Sequence, residues 1–193
     1  MRELRETILR QGQCVGDSIV KVDMFLNHRL DTRLMFAMGR ELADYFGKDK
    51  PDIVLTVEAS GIALALAAAH FLDDIPVVFA KKSPAANQSA DMLTAVAHSF
   101  THGNDNALRV DRRYLPAGSR VLVVDDFLAD GEASRALISI VEQAGCMLVG
   151  VGIAVEKGFQ PGGRKLREAG VHLKSLAIVT SIQDGRIQLA DDD

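Results

Sequence analysis

The sequence predicts an α/β protein built on a doubly wound, mainly parallel sheet. Short runs of β-branched and aliphatic residues alternate along the chain with stretches of helical length. Such runs are typical of parallel strands covered on both faces, because neither face then needs polar residues. With 193 residues, 48% of them hydrophobic and 25% charged, the chain has enough apolar material for a full core. We therefore expect a single domain over residues 1–193.

The first part of the chain is expected to contain two helices, with irregular or short-strand structure between them at 18–30. Leu4, Ile8 and Leu9 recur at helical spacing and predict a short amphipathic helix. Asp31 or Thr32 can cap a second helix, because both side chains accept hydrogen bonds from free backbone N–H groups. The expected apolar face of this second helix is Leu34, Met35, Met38, Leu42 and Phe46.

Strands and helices then alternate. Buried strands are predicted at 53–57, 76–80, 120–124 and 147–155, with helices at 62–71 and 133–144. This order of elements predicts the doubly wound arrangement.

Two stretches depart from the alternation. Residues 81–115 are rich in Ser, Asn and charge but contain strand-like runs, so we predict a protruding hairpin that could act as a lid. Near the other end, residues 173–178 and 182–189 flank Asp184-Gly185, a dipeptide typical of tight hairpin turns.

Composition narrows the range of functions. The formal net charge is −4 and the sequence pI is about 5.7, so a general nucleic-acid-binding surface is not expected. The longest purely apolar run, 62–69, is far too short to cross a bilayer. Cys14 and Cys146 have no spacing typical of zinc or of a disulfide framework. We expect a cytoplasmic protein with no membrane or nucleic-acid partner.

The most informative segment is 121–133. An aliphatic strand leads into the adjacent carboxylates Asp125 and Asp126, and a short loop with Gly131 precedes a helix. Ligands bind at the carboxyl ends of parallel strands, and a helix N-terminus offers free N–H groups to a phosphate. Paired carboxylates can accept hydrogen bonds from vicinal ribose hydroxyls. The alternative is that the two acids merely end a strand and cap a helix.

This segment resembles the signature of the phosphoribosyltransferase family, whose members use phosphoribosyl diphosphate (PRPP). Residues 21–28, 79–82 and 156–162 are also similar to purine-specific members, so the resemblance covers nearly the whole chain. It implies the type I phosphoribosyltransferase fold, with a core at about 31–155 and a small hood formed by about 1–30 and 156–193.

The resemblance implies roles for individual residues. Asp125 and Asp126 match the pair that holds the ribose hydroxyls, and Lys81 and Lys82 would help to neutralise the diphosphate. The loop around the 5′-phosphate is matched by Ala129, Asp130, Gly131, Glu132 and Ala133, and the diphosphate loop by Glu58, Ala59, Ser60 and Gly61. Family members bind Mg²⁺ mainly through PRPP oxygens, here with possible help from the two aspartates. Asp130 and Glu132 would repel a phosphate unless their side chains point away from it.

At the base-binding end, Lys157 is expected to follow a strand and project into the same crevice. A lysine offers donors only, which suits the carbonyl of a 6-oxopurine and not the amino group of adenine. Phe159 could cover a purine face. The resemblance adds Val20 and Asn27 as base contacts, with xanthine as the expected base. Read without the resemblance, Lys157 and Phe159 could be surface and packing residues, and Asn27 a turn former.

The resemblance implies transfer of the phosphoribosyl group from PRPP to xanthine in purine salvage, and a homodimer of the family type. Alternatives are a phosphoribosyltransferase for guanine or hypoxanthine, less readily for adenine, and a PRPP-binding transcription regulator without catalysis. The mixed charge of the N-terminal segment does not favour the regulator, which would need a basic DNA-binding face.

Overall fold

The structure is a computed structural model, and it describes residues 1–83, 91–98 and 105–191. The helices in this part are α1 (Arg2–Gln11), α2 (Thr32–Phe46), α3 (Gly61–His70), α4 (Glu132–Gln143) and α5 (Gly162–Glu168). The strands are β1 (Gln13–Val15), β2 (Ile19–Lys21), β3 (Ile53–Val57), β4 (Val77–Ala80), β5 (Met92–His98), β6 (Asp105–Asp111), β7 (Arg120–Leu128), β8 (Met147–Lys157), β9 (Leu173–Gln183) and β10 (Arg186–Leu189). None of the helices in these ranges is both long and apolar enough to span a membrane.

Six strands form the central sheet in the order β10-β9-β8-β7-β3-β4. All neighbouring pairs from β9 to β4 are parallel, and β10 pairs with β9 in the antiparallel sense. The chain moves from β3 to β4 on one side of the sheet and from β7 through β8 to β9 on the other. The predicted doubly wound α/β fold is confirmed, and the strand order reverses between β3 and β7.

The central strand β7 lies between two hydrophobic layers. Successive side chains of a strand point to opposite faces. Leu122 and Val124 join the layer that contains α2 and α3, whereas Val121 and Val123 join the layer under α4. All four side chains are fully buried. The continuous aliphatic run therefore reflects a strand with helices on both faces.

The predicted helix α2 is confirmed together with its cap and its apolar face. The Asp31 carboxylate accepts a hydrogen bond from the Leu34 N–H at 3.1 Å, which satisfies one donor of the first turn. The predicted apolar residues, Leu34, Met35, Met38, Leu42 and Phe46, are all buried.

The predicted hairpin is present as β5 and β6, and it is fastened to the body of the protein. Inward-facing side chains such as Leu93 pack in the layer under α4. The amide of Gln143, the last residue of α4, donates to the Thr94 carbonyl at 3.1 Å. The lid expected here includes residues 84–90 and 99–104, which lie outside the described residues.

Three local predictions were wrong. Leu9 is 61% exposed, and the buried face of α1 consists of Leu4, Thr7 and Ile8. The strand predicted at 120–124 continues to Leu128, because its ladder with β8 extends past the two carboxylates. No helix was predicted at α5, since its Pro-Gly-Gly start is typical of a turn.

The tight turn at Asp184-Gly185 is confirmed. Both residues have positive φ, 50° and 71°, as a two-residue hairpin between strands requires. This turn joins β9 to β10 at the edge of the central sheet.

Gly39→Ala is expected to destabilise the protein, although alanine normally stabilises a helix interior by about 1 kcal/mol relative to glycine. A Cβ at Gly39 of α2 would lie 2.4 Å from the carbonyl carbon of Ala67 in α3, and backbone cannot move aside as a flexible side chain can. We expect the free energy of unfolding, measured in urea, to fall by about 1–3 kcal/mol.

Gly47→Ala is the matched control for this substitution. Gly47 has right-handed helical backbone angles, and the nearest atom to its Cβ would be a Leu72 methyl at 3.6 Å. This variant should be neutral or slightly stabilised. Equal losses at the two positions would show that helix contact is not the cause.

Candidate active site

The carboxyl ends of four adjacent strands bring the predicted ligand-binding segments together. β4 leads into Lys81 and Lys82, β3 into loop 58–61, β7 into loop 129–133, and β8 ends at Lys157. Because these strands are parallel, the segments lie at one edge of the sheet. The two loops flank the crevice between β3 and β7, which is where an open α/β sheet binds its ligand.

Asp125 and Asp126 lie inside β7, whose last residue is Leu128. The prediction that they follow the strand was wrong. Their exposed fractions are only 4% and 7%. The Asp126 N–H donates to Asp125 Oδ1 at 3.0 Å, and the Asn27 amide donates to Asp126 Oδ2 at 3.5 Å. The strand ladder therefore holds the backbone of the pair, and the N-terminal segment reaches it through Asn27.

Burial raises the pKa of the Asp125 carboxyl well above its ordinary value of 3.8, and the neighbouring charge of Asp126 raises this pKa further. Both causes disfavour the ionised form. The positive charge of Lys82 acts in the opposite direction on the Asp125 pKa. The pair is thus an electrostatically costly site that a proton, a cation or hydroxyl donors would relieve.

The two lysines after β4 have different surroundings. Lys81 exchanges two backbone hydrogen bonds with Arg109 of β6, at 2.9 and 3.0 Å, and so ties β4 to the hairpin. Lys82 has an exposed side chain whose charge acts on Asp125. Its backbone N–H donates to the Glu58 carboxylate at 2.7 Å. Lys82 is therefore the lysine that connects loop 58–61 with the acid pair.

Gly61 allows α3 to begin directly against the acid pair. A Cβ at this position would lie 2.2 Å from Thr56 Oγ1 and 2.8 Å from Asp125 Oδ1. The preceding residues Glu58 and Ala59 are joined by a cis peptide bond. The first turn of α3 lies beside the crevice, and its Ile62 N–H donates to the Ala59 carbonyl at 3.2 Å.

The loop 129–133 turns from β7 into α4. Gly131 has φ +87°, in the left-handed region that favours glycine. The Asp130 carboxylate accepts a hydrogen bond from the Glu132 N–H at 3.1 Å, and the Glu132 carboxylate forms an ion pair with Arg135. Both acids that the sequence places beside the expected phosphate therefore have partners within the loop and the first turn of α4.

Lys157 is the last residue of β8, and its ammonium lies between the N-terminal segment and β7. Its Nζ donates to the Ser18 carbonyl at 3.2 Å and lies 5.9 Å from the centroid of the Phe127 ring. Burial lowers the pKa of Lys157, and the charge of Asp130 partly opposes this shift. The result is a half-buried cation beside an aromatic ring, one residue along β7 from Asp126.

The other predicted base contacts lie in different surroundings. Asn27 reaches Asp126, as described above. Val20 belongs to β2 and is only 6% exposed, with its side chain in the layer that contains α2 and α3. Phe159 lies in the turn after β8 and is 37% exposed. Phe127, which sequence reasoning left without a role, is the ring near the Lys157 ammonium. Its position could have been predicted by extending the alternation of β7 beyond the aspartates.

The oxygen atoms of Asp125 and Asp126 are the candidate protein ligands for a hard cation such as Mg²⁺. In the described ranges, no group of three or more His, Cys, Asp and Glu side chains could hold a metal ion. Oxygens of a bound phosphate compound would therefore have to complete the coordination. A buried carboxyl with a raised pKa fits this donor set, since a nearby cation would favour its ionised form.

The strand ends of this parallel sheet bring together an acid pair, lysines and two glycine-containing loops at helix N-termini. Such a site defines a class of α/β protein that binds phosphorylated sugars. The family described as Phosphoribosyl transferase domain matches residues 26–183, and the chain belongs to this family.

Curated relatives and solved structures agree with this assignment. The chain is 45% identical over 187 residues to Xanthine phosphoribosyltransferase 1 of Clostridium perfringens, covering 97% of this chain and 98% of the relative. It is 48% identical over 182 residues to Xanthine phosphoribosyltransferase of Bifidobacterium animalis subsp. lactis, covering 94% of each. The crystal structure of adenine phosphoribosyltransferase from Rhodothermus marinus has a TM-score of 0.74 over 93% of this chain and all of its own, and its 23% identity supports the fold alone.

Asp125→Asn is expected to raise the melting temperature of the ligand-free protein at neutral and alkaline pH. Folding raises the pKa of this carboxyl, so the free energy of unfolding falls as the pH rises above the ordinary value, and the full cost is reached once the pH exceeds the raised value. The amide removes that cost and can still accept from the Asp126 N–H. Below the ordinary carboxyl pKa of 3.8 both states are protonated, and the gain should vanish. At about pH 8 we expect at least about 2 °C by scanning calorimetry.

The control is Asp184→Asn in the exposed turn between β9 and β10. Asparagine also tolerates positive φ, so this substitution removes the same charge without a burial effect. Its effect on the melting temperature should not grow with pH. A lower melting temperature for Asp125→Asn at about pH 8 would contradict the electrostatic reading of the pair.

Proposed function

We propose that the chain transfers the 5-phosphoribosyl group of PRPP to xanthine, giving xanthosine 5′-monophosphate and diphosphate in purine salvage. The observation that carries the proposal is the Lys157 ammonium beside Phe127, at the same strand edge as Asp125 and Asp126. An ammonium only donates, so it suits the carbonyl oxygens of an oxopurine. The curated relatives that are 45–48% identical over nearly the whole chain bear the same activity in their names.

The ribose 5-phosphate part of PRPP is assigned to β7 and the loop that follows it. Asp125 and Asp126 accept hydrogen bonds from the ribose hydroxyls, which relieves the cost of burying two adjacent carboxylates. The 5′-phosphate is assigned to the loop of Ala129, Asp130, Gly131, Glu132 and Ala133, where α4 begins and backbone N–H groups can donate to it. The Glu132 N–H already donates to the Asp130 carboxylate and is not counted among these donors.

The diphosphate part is assigned to the neighbouring strand ends. Glu58, Ala59, Ser60 and Gly61 surround it, with N–H groups of α3 as donors, and Lys81 and Lys82 offset its charge. Mg²⁺, held by PRPP oxygens and by Asp125 and Asp126, would supply further charge neutralisation on the leaving diphosphate.

The purine lies between the predicted hood and β7. Lys157 donates to a carbonyl oxygen of the base, and Asn27 can donate to or accept from the ring edge. Phe159 and the ring of Phe127 offer flat apolar surfaces, and Val20 backs the site from the core. An amino group in place of the 6-carbonyl, as in adenine, would leave the lysine without an acceptor.

In the reaction, the bond between ribose C1 and the diphosphate oxygen breaks, and a bond from C1 to a purine nitrogen forms. Negative charge grows on the departing diphosphate, where Lys82 and the N–H groups of α3 stabilise it. The ribose ring becomes cation-like, and the ionised acid pair beneath it favours that change. The proton of the purine nitrogen is lost to solvent or to the diphosphate.

We further propose a cytoplasmic homodimer. Phe36 of α2 and Leu66 of α3 are 46% and 61% exposed, and they line one apolar groove on the outside of the helical layer. Exposed apolar patches of this kind are typical of subunit contacts. The free thiols Cys14 and Cys146 fit a reducing compartment.

The direct test is to mix the purified protein with PRPP, Mg²⁺ and each of xanthine, guanine, hypoxanthine and adenine, and to follow nucleotide formation. We expect the highest kcat/KM with xanthine and the lowest with adenine. Conversion of guanine or hypoxanthine in preference to xanthine would change the assigned base. Binding of PRPP without conversion of any base would contradict the enzyme and support a PRPP-responsive regulator.

Lys157→Met should lower kcat/KM for xanthine about 100-fold, because the carbonyl of the base loses a charged donor worth about 1.5–3 kcal/mol. The dissociation constant of PRPP should change little. Lys48→Met is the control, since the Lys48 ammonium also lies near an aromatic ring, 5.6 Å from the centroid of Tyr45, and outside the site. Equal losses in the two variants would contradict the role given to Lys157.

Asp130→Asn should strengthen PRPP binding. Asparagine retains an oxygen that can accept from the Glu132 N–H, but it carries no charge to repel the 5′-phosphate. We expect KM for PRPP to fall about threefold, which corresponds to less than 1 kcal/mol. A rise in KM would show that the Asp130 carboxylate supports the loop more than it repels the phosphate.

A further inference from the structure

An ion pair with a buried carboxylate and a half-exposed guanidinium lies directly beside the site but has no part in the chemistry described above. Glu156, the residue before Lys157, is only 3% exposed. Arg167 of α5 donates to both of its carboxylate oxygens at 2.7 Å, and the Ser175 hydroxyl donates to Oε2 at 2.5 Å. A bidentate contact of this kind fixes the relative orientation of the two side chains as well as their distance. Glu156 thus attaches α5 to β8 and β9 in one defined geometry.

Glycines bring α5 into contact with both the ion pair and the loop 129–133. A Cβ at Gly163 would lie 1.9 Å from Glu156 Oε1, so the carboxylate lies against the helix backbone. A Cβ at Gly162 would lie 2.5 Å from the Ala129 carbonyl oxygen and 2.6 Å from the Gly131 nitrogen. The Gly162 N–H also donates to the Ala129 carbonyl at 3.0 Å. A small shift of α5 is therefore passed directly to the loop.

Lys157 is held by other means. Its backbone is in register with Val179 of β9, and its ammonium is bonded to the Ser18 carbonyl. Neither contact involves the carboxylate of Glu156 or the guanidinium of Arg167. Loss of the ion pair should therefore disturb the loop 129–133 more than the base-binding end.

We propose that Glu156 and Arg167 are positioning residues for the 5′-phosphate: through α5, their ion pair sets the geometry of the loop 129–133. This inference rests on the proposed function, because it assigns that loop to PRPP, but it does not depend on which purine is used. Phosphate-binding N–H groups must be held within a fraction of an ångström, and supporting side chains beyond the ligand contacts supply that precision.

The test compares Arg167→Lys, which keeps the charge but loses the bidentate contact, with the wild type. We expect the dissociation constant of PRPP and its KM to rise about tenfold, while KM for xanthine changes less than about twofold. Amide hydrogen exchange of residues 129–133 should become faster in the ligand-free variant. Glu156→Gln, which can still accept from Ser175, should show the same pattern.

Arg113→Lys is the matched control. Arg113 also binds a largely buried carboxylate, Asp111, through two guanidinium nitrogens, but it lies after the hairpin. It should leave PRPP binding and exchange of the loop unchanged. The double variant Glu156→Met/Arg167→Leu separates positioning from stability, since apolar residues can replace an ion pair whose carboxylate is buried without loss of stability. The free energy of unfolding of this variant should equal that of the wild type, whereas its dissociation constant for PRPP should remain raised.

Equal PRPP binding and equal loop exchange in Arg167→Lys and Arg113→Lys would overturn the inference and leave the proposed function intact. Wild-type protein that binds no PRPP would contradict the proposed function. In that case hydrogen exchange still decides whether the ion pair sets the loop, because it needs no ligand. Faster exchange of the whole protein, without a selective effect on residues 129–133, would reduce the ion pair to a general stabilising contact and also overturn the inference.

Discussion

Strand β7 is covered on both faces, and its position determines where the rest of the site can be. Helices α2 and α3 pack on one side of it and α4 on the other, so its residues from Val121 to Val124 are all apolar and buried. Its neighbours β3 and β8 then bring their own carboxyl ends to the same edge. Because an aliphatic strand is held this firmly, two carboxylates can be kept nearly buried.

That arrangement has a cost in the ligand-free protein. Burial and mutual repulsion raise the pKa of the Asp125 carboxyl, and the nearby lysine only partly offsets the effect. A ligand that brings hydroxyl donors and an associated cation relieves both causes at once. Relief of this cost contributes to the free energy of ligand binding, because the rigid framework imposed the unfavourable interaction when the protein folded.

The sequence was sufficient to predict the parallel sheet, the hairpin, α2 with its cap and the turn at Asp184-Gly185, because local chemistry and tertiary structure agree there. It failed where they differ. Carboxylates are poor strand formers, so the predicted strand ended before Asp125. Phe127 was therefore not recognised as a residue of β7. A Pro-Gly-Gly sequence is typical of a turn, so α5 was missed along with the ion pair of Glu156 and Arg167. Lys157 could be placed in the crevice from its position after a strand, whereas Val20 and Asn27 were assigned by resemblance, because their proximity depends on contacts between distant parts of the chain.

Gly131 and Gly162 meet across the start of α5, with the Cα of Gly162 3.1 Å from where a Cβ of Gly131 would lie. In most tight contacts between side chains, enlargement of one partner can be compensated by reduction of the other. Here neither partner can become smaller, so no second substitution at the contact can restore a first one. The two positions therefore cannot compensate for each other, and a larger residue at either one has to be absorbed by a movement of the loop 129–133 or of α5.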